Sequence, residues 1–200
     1  MKKIFIILIL TFSYFNVLSQ MQTSFLEPVA SPQASVSQNV GMTNISMNYS
    51  SPGIKGRKIF GDLVPYNEIW RAGANGPTTI KFSTSVKING ETLRAGEYSI
   101  AMVPSEKGMW KIDFNKAGKY PFAYMKDGKI DMEAYNDDLA LSIEIEPKYR
   151  DTNVERLKYV IDANDNKVAN VLMIWSNLTV SFKIDTTPNE HIEKFKKRLN

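Results

Sequence analysis

From Ala34 onward, small or polar residues alternate with apolar residues over many short stretches. Alternation with a period of two is typical of half-buried β-strands, because successive side chains point to opposite faces of a sheet. Asn89-Gly90, which tolerates the positive φ angles of a type I′ turn, separates two stretches and predicts a hairpin. The pattern predicts strands at 34–40, 43–49, 78–83, 86–88, 93–103 with a bulge or turn at Ala95-Gly96, 109–114, 139–146, 154–161, 167–175 and 178–184.

Short turns separate most of these strands, and Ser176-Asn177 is expected to be one of them. Two stretches do not alternate: 49–77 is too rich in glycine and proline for a helix, and 115–138 has room for a short strand at most. Many alternating strands without an intervening helical period predict an all-β fold over 33–186. We expect an antiparallel β-sandwich or flattened barrel with one long ordered loop at 49–77.

One helix is expected, at the C-terminal end over 187–200. Thr187 suits the N-cap, Pro188 the first helical position and Glu190 a capping box, and apolar residues then recur at helical spacing. The negative end of the helix dipole stabilises cations near the C-terminus of a helix, which explains the four cations Lys194, Lys196, Lys197 and Arg198. The alternative explanation is a role at a membrane surface or with nucleic acid. The helix is therefore predicted to be short and amphipathic.

The N-terminus has the zones of a secretory signal peptide. Lys2 and Lys3 precede an apolar run from Ile4 to Phe15, and small residues follow, so 1–19 is predicted to be a signal peptide cleaved after Ser19. The apolar run is shorter than the roughly 20 residues of a spanning helix, and no later segment is more apolar. Residues 20–32 are expected to form a flexible leader, and the protein to be exported to the periplasm or the outside without a transmembrane segment.

Composition limits the chemistry. Without cysteine there is neither a disulfide framework nor a thiolate nucleophile. The formal charge of +4 falls to +2 if Lys2 and Lys3 leave with the signal, because 23 basic residues then face 21 acidic ones, so no nucleic-acid partner is expected. The single histidine, His191, has no triad partner nearby in sequence, and the carboxylate pairs suit solvated surface. No metal, cofactor or catalytic residue is predicted.

The densest mixture of polar and aromatic residues lies in the 49–77 loop. Glycines there permit unusual backbone conformations, and arginine offers a planar fork suited to carboxylate or phosphate. Two interpretations remain open: the loop forms a ligand site, or its apolar residues pack against a sheet edge while Arg57 and Arg71 pair with Asp62, Glu68 or backbone carbonyls. The candidate ligand-binding residues are Tyr49, Arg57, Lys58, Tyr66, Trp70, Arg71 and Asn75.

The same loop resembles a known family. The run from Tyr49 through Lys55-Gly-Arg-Lys-Ile-Phe-Gly61 and Ile69-Trp-Arg71 to Asn75, followed by Thr78-Thr-Ile80 and by Leu93-x-Ala-Gly-x-Tyr-Ser99, is similar to the domain of unknown function called DUF-2911. The resemblance spans roughly residues 31–185. It implies an exported all-β domain of Gram-negative bacteria with no assigned activity and no catalytic residues to carry over. Similar members often have an acidic residue where Gly76 stands.

Three functions are compatible with these observations. The first is a non-catalytic exported β-sandwich that binds a small molecule, glycan or peptide at the 49–77 loop. The second is a structural or protein-interaction module of the cell envelope, which would use a strand edge or the terminal helix. The third is a hydrolase that uses carboxylates, for which only Asp62 and Glu68 lie suitably in the loop. Oligomeric state is not predicted.

Overall fold

The computed structural model describes residues 28–116 and 118–199. The predicted signal peptide, and the predicted leader as far as residue 27, lie outside the described residues. The described residues from Ser31 onward form one compact unit. Its strands are β1 Gln33–Val40, β2 Thr43–Ser50, β3 Thr78–Phe82, β4 Val86–Ile88, β5 Glu91–Leu93, β6 Gly96–Val103, β7 Trp110–Asn115, β8 Met125–Lys126, β9 Lys129–Ile130, β10 Leu139–Ile145, β11 Lys148–Ala163 and β12 Val168–Asp185.

The strands form two main sheets. The larger sheet has the order β1-β2-β3-β6-β7-β10, and the smaller sheet has the order β11-β12-β4-β5. Every pairing between neighbouring strands is antiparallel, and neither sheet is closed. Apolar side chains of both sheets share one core, in which the rings of Phe114 from β7 and Phe182 from β12 form a T-shaped pair with their centres 5.5 Å apart. The all-β prediction is confirmed in its sandwich form.

Two short connections carry the chain within and between the sheets. Asn89 and Gly90 have φ angles of 49° and 95° between β4 and β5, as the predicted hairpin requires. The stretch predicted as 93–103 contains the last residue of β5, which belongs to the smaller sheet, and all of β6, which belongs to the larger one. The break at Ala95-Gly96 is therefore a passage between the two layers.

The prediction of a turn at Ser176-Asn177 is wrong. β12 continues through both residues, and Ser176 has a φ angle of 53° while its neighbours remain in the strand. The register against β11 shifts around this point. This local irregularity lets Trp175 and Leu178, which are three residues apart, both face the core at 1% exposure.

The connection 115–138 contains more structure than the sequence predicts, so the expectation of a single helix is also wrong. A 3₁₀ turn covers Pro121–Tyr124, β8 and β9 form a two-stranded hairpin, and helix α1 spans Met132–Asp137. The Asp131 side chain caps α1 by accepting a hydrogen bond from the amide of Ala134 at 3.1 Å. Six residues are fewer than two helical turns, which is too short for a clear hydrophobic period.

The C-terminal helix prediction is confirmed as α2, Pro188–Leu199. Its start differs from the predicted capping box. The Thr187 amide donates to Asp185 Oδ1 at 2.8 Å, and Glu190 pairs with Lys87 Nζ at 2.8 Å. Within the described residues, no helix has the length and apolar character needed to cross a membrane.

Candidate functional site

The segment between β2 and β3, residues 51–77, is fastened to both sheets. On one side the Ile54 amide donates to the carbonyl of Glu155 in β11 at 2.8 Å. On the other side Trp70 and Met102 of β6 exchange two backbone hydrogen bonds, of 2.7 and 2.8 Å. The segment therefore bridges the two layers of the sandwich, and we call it the bridging loop.

Aromatic rings hold the middle of the bridging loop. Phe60 is 7% exposed and meets Trp110 edge to face at 4.9 Å, with Trp175 and Trp70 at 6.0 and 6.2 Å. The rings of Trp70 and Trp175 stack at 5.9 Å with planes 23° apart. Edge and offset-stacked arrangements of this kind are the favourable ones for aromatic pairs. The loop is thus part of the hydrophobic core.

A strained residue is held just after Trp70. Ala72 is fully buried and has a φ angle of 54°, a conformation that costs an L-residue free energy. Its carbonyl oxygen accepts hydrogen bonds from Thr78 Oγ1 at 3.1 Å and from the Tyr159 hydroxyl at 2.7 Å. These two donors come from β3 and β11, so both sheets fix the backbone next to Trp70 and Arg71.

A cavity of about 290 Å³ opens beside this part of the loop. Its wall is largely apolar and includes two indole rings and one phenyl ring. Glu68 is the only carboxylate among its described lining residues. The lining residues are Ser31, Pro52, Arg57, Leu63, Val64, Pro65, Glu68, Ile69, Trp70, Arg71, Gly73, Ala74, Phe122 and Trp175.

Two buried donors in the cavity wall have no hydrogen-bond partner among the described residues. They are Arg71 Nε and the indole Nε1 of Trp175. The guanidinium carbon of Arg71 lies 5.3 Å from the centre of the Phe122 ring, which is itself 45% exposed. An unpartnered buried donor is costly, and both of these donors belong to residues that line the cavity.

The side chains of two other candidate residues, Arg57 and Asn75, make hydrogen bonds within the protein. Arg57 donates from Nε to the carbonyl of Ile54 at 3.0 Å and from a terminal nitrogen to Gly53 at 2.7 Å. Asn75 donates to the carbonyl of Ser31 at 3.2 Å. None of the ion pairs between described residues involves Arg57 or Arg71. For Arg57 the expectation of pairing with backbone carbonyls matches these contacts.

Four candidate residues do not line the cavity: Asn75, whose contact is given above, and Tyr49, Tyr66 and Lys58. Tyr49 is buried in the core, where its ring meets Tyr159 edge to face at 4.9 Å. Tyr66 closes over Gly61 and burial raises the pKa of its phenol above the ordinary value. Lys58 is exposed. Of the seven predicted residues, the structure brings only Arg57, Trp70 and Arg71 to the cavity.

Comparison with known proteins identifies the family of this chain. The family described as "Protein of unknown function (DUF2911)" matches residues 31–184, which is most of the chain. The protein belongs to this family. No curated protein and no solved structure matches it. The DUF2911 match covers both sheets and the bridging loop, and it ends one residue before the end of β12, so α2 lies beyond it.

Sequence reasoning missed two aromatic residues of the DUF2911 cavity, Phe122 and Trp175. Phe122 comes from the 3₁₀ turn in the 115–138 connection, and Trp175 from the middle of β12. Both reach the bridging loop only through tertiary packing. An alternating strand pattern does indicate that Trp175 is buried, but it gives no sign of which loop covers it.

The described residues contain no cluster of metal-ligating side chains. No group of three or more histidine, aspartate or glutamate side chains is close enough to hold a metal ion within 28–116 and 118–199. Asp62, the other carboxylate considered for hydrolysis, does not line the cavity. A wall with unpartnered donors and aromatic faces is suited to holding a ligand.

Proposed function

We propose that this DUF2911 protein is an exported, non-catalytic β-sandwich domain that binds a small organic molecule in the cavity beside the bridging loop. The observation that carries the proposal is the pair of unpartnered buried donors, Arg71 Nε and Trp175 Nε1, in an aromatic wall. Ligand sites are typically concave and apolar with a few placed polar groups. The basic, apolar and small-residue zones of the N-terminus support the export part of the proposal.

The chemistry of the wall supports one class of ligand. Both free donors call for an acceptor oxygen, and guanidinium favours a carboxylate over a neutral carbonyl. Trp70 and Phe122 offer flat apolar surfaces for the rest of the molecule. At about 290 Å³ the cavity is at the lower end of ligand sites, so the ligand is a small carboxylate-bearing molecule or the C-terminal end of a peptide.

A hydrolase that depends on two carboxylates is less well supported. General acid and nucleophile or base must flank the scissile bond, which requires two carboxyl groups about 5–10 Å apart. Glu68 has no carboxylate companion among the described residues of the cavity wall. Binding without turnover is therefore the function that this arrangement supports best.

The test is a binding screen by saturation-transfer NMR. The panel contains aromatic and aliphatic monocarboxylates, each paired with its primary amide, together with neutral sugars. We expect carboxylates to bind more tightly than their amides, and Arg71→Gln to weaken binding by about 10- to 100-fold, the value of a charge-assisted hydrogen bond. Arg94→Gln, which changes an exposed arginine away from the cavity, is the matched control.

Two results would contradict the proposal. One is equal affinity of the parent chain and Arg71→Gln for every panel member that binds. The other is the absence of any binder from a panel that fits the cavity volume, which would leave the bridging loop as a structural clamp. Determination of the mature N-terminus by mass spectrometry, expected at Gln20, checks the export part separately.

A further inference from the structure

Helix α2 presents an apolar stripe that the domain does not cover. Ile192, Phe195 and Leu199 are 40%, 60% and 71% exposed, and no described residue of the helix is buried. Their spacing of three and four residues places them on one side of an α-helix. Apolar residues at such positions normally face a core, so this stripe lacks the partner that its pattern requires.

The first turn of α2 is nevertheless fixed to the domain. Glu190 pairs with Lys87 of β4 at 2.8 Å, and His191 Nε2 donates to the carbonyl of Ser85 at 2.8 Å. Beyond His191 every described residue of the helix is exposed. The helix is therefore held at its base while its apolar stripe remains open to another surface.

Positive charge accompanies the stripe. At about 100° per residue, Lys196 and Arg198 lie on the two borders of the stripe, while Lys194 and Lys197 lie on the opposite side. The last two turns contain a single acidic residue, Glu193, which contacts Lys196 at 2.8 Å. A short apolar stripe bordered by cations is the arrangement of helices that lie in the headgroup region of a membrane.

We propose that α2 docks on an anionic lipid surface, with the apolar stripe in the headgroup region and Lys196 and Arg198 at the phosphates. The proposal does not depend on the cavity or its ligand. Twelve residues are too few to span the hydrocarbon core, so the helix lies on the surface.

A second copy of the chain fits this stripe less well. Pairing two α2 helices through the stripe would bring Lys196 and Arg198 of both copies together, which like-charge repulsion opposes. Three partly exposed side chains also fall well short of the roughly 800 Å² per partner that stable protein interfaces bury. An anionic surface instead satisfies the charges and the apolar residues at once.

The experiment needs a probe on the helix itself, because the apolar run Ile4–Phe15 of the full chain can bind lipid on its own. The chain has no cysteine, so Leu199→Cys introduces a single site for an environment-sensitive NBD dye. The labelled full chain is titrated with phosphatidylcholine vesicles that contain either no phosphatidylglycerol or a large fraction of it. We expect a blue shift and an intensity gain with the anionic vesicles, and a loss of both in high salt.

Three variants of the labelled chain separate the contributions. Ile192→Ser/Phe195→Ser should weaken partitioning by roughly tenfold or more, because the apolar stripe is lost. Lys196→Gln/Arg198→Gln should weaken it by roughly 25-fold, at about fivefold per cation near the surface. Lys194→Gln/Lys197→Gln makes the same charge change on the opposite side and should have a clearly smaller effect. Circular dichroism confirms that each variant keeps its β-sheet signal.

Three outcomes would overturn the proposal. An equal NBD response with neutral and anionic vesicles would remove the role of charge. Equal losses of partitioning for Lys196→Gln/Arg198→Gln and Lys194→Gln/Lys197→Gln would show that the vesicles attract the helix by its charge without binding the apolar stripe. An NBD response that rises with protein concentration in the absence of vesicles would assign the stripe to self-association.

Discussion

Replacement of Phe60 by alanine tests whether the bridging loop is a structural part of the sandwich. Phe60 is 7% exposed, and its ring lies within 6.2 Å of three indole rings that belong to the loop and to both sheets. Phe→Ala substitutions in cores cost about 3–5 kcal/mol, and aromatic pairs add about 0.5–1.5 kcal/mol beyond buried area. We expect the free energy of unfolding to fall by about 4 kcal/mol, within the range for a core aromatic.

Urea denaturation followed by tryptophan fluorescence measures this loss. The three tryptophans of the chain are the same three rings that contact Phe60, so the signal reports the site directly. With a slope of about 2 kcal/mol per molar urea, a loss of about 4 kcal/mol moves the midpoint by about 2 M. Lys58→Ala is the control: Lys58 is exposed in the same loop, and surface changes usually stay within about 0.5 kcal/mol.

A loss below about 1 kcal/mol for Phe60→Ala, with an unchanged slope, would refute this reasoning. Such a result would mean that the loop contributes little to the core and that its contacts form without stabilising the fold. The cavity wall would then lack the rigid support that a preformed ligand site needs, so the proposed function would lose its structural basis as well.

Two further predictions follow from the backbone and from buried phenols. Gly61→Ala should lower the free energy of unfolding by about 1–2 kcal/mol more than Gly56→Ala in the same denaturation assay. Both glycines have positive φ angles, but only at Gly61 would a Cβ lie 2.5 Å from Tyr66 Cε2. Equal losses for the two variants would contradict the clash. Burial raises the pKa of Tyr135 and of Tyr159 above 10, so the stability that these neutral phenols contribute is complete below pH 10 and is lost as the pH rises further. Tyr159→Phe should therefore flatten the alkaline fall of stability by about 1.4 kcal/mol per pH unit, measured as urea midpoints at a series of pH values above 10.

Much of the sandwich is predictable from the sequence because its strands show an alternation of buried and exposed residues. In β2, Ile45, Met47 and Tyr49 are buried while the residues between them are less so, which is the period of two that a half-buried strand produces. The passage between layers at Ala95-Gly96 is different. A strand that continues and a strand that changes sheet have the same alternation, and only pairing with β4 or β3 distinguishes them.

The structure of the 115–138 connection could not be predicted because residues outside the connection hold it in place. Tyr135 of α1 is fully buried and donates to Asp113 of β7 at 3.2 Å, and Asp113 also accepts from Ser142 at 2.6 Å. The buried carboxylate on the outer face of the larger sheet therefore provides the anchor for α1. Neither a six-residue helix nor an isolated aspartate indicates such a contact in a sequence.

The sequence predicts which loop forms the candidate site, but it does not predict which of the loop's donor atoms lack a partner. Residue type marks both Arg57 and Arg71 as ligands for an anion, yet their hydrogen bonds differ. Arg57 lies three and four residues after the carbonyls that it binds, so its own loop supplies its acceptors. Arg71 follows Trp70, whose backbone pairs with β6, and it precedes Ala72, whose carbonyl is already occupied by two donors.

This difference between the two arginines decides what the bridging loop can do. A guanidinium bonded to nearby carbonyls stabilises the loop and has fewer donors left for a ligand, whereas Arg71 keeps a buried Nε without a partner in the described chain. Lysine at position 71 would supply charge but no donor at that place on its stem, since its only donors are on the terminal ammonium. The recognition that we propose at this cavity therefore depends on where Arg71 Nε is held, next to the core around Phe60 and the two bonds to the Ala72 carbonyl.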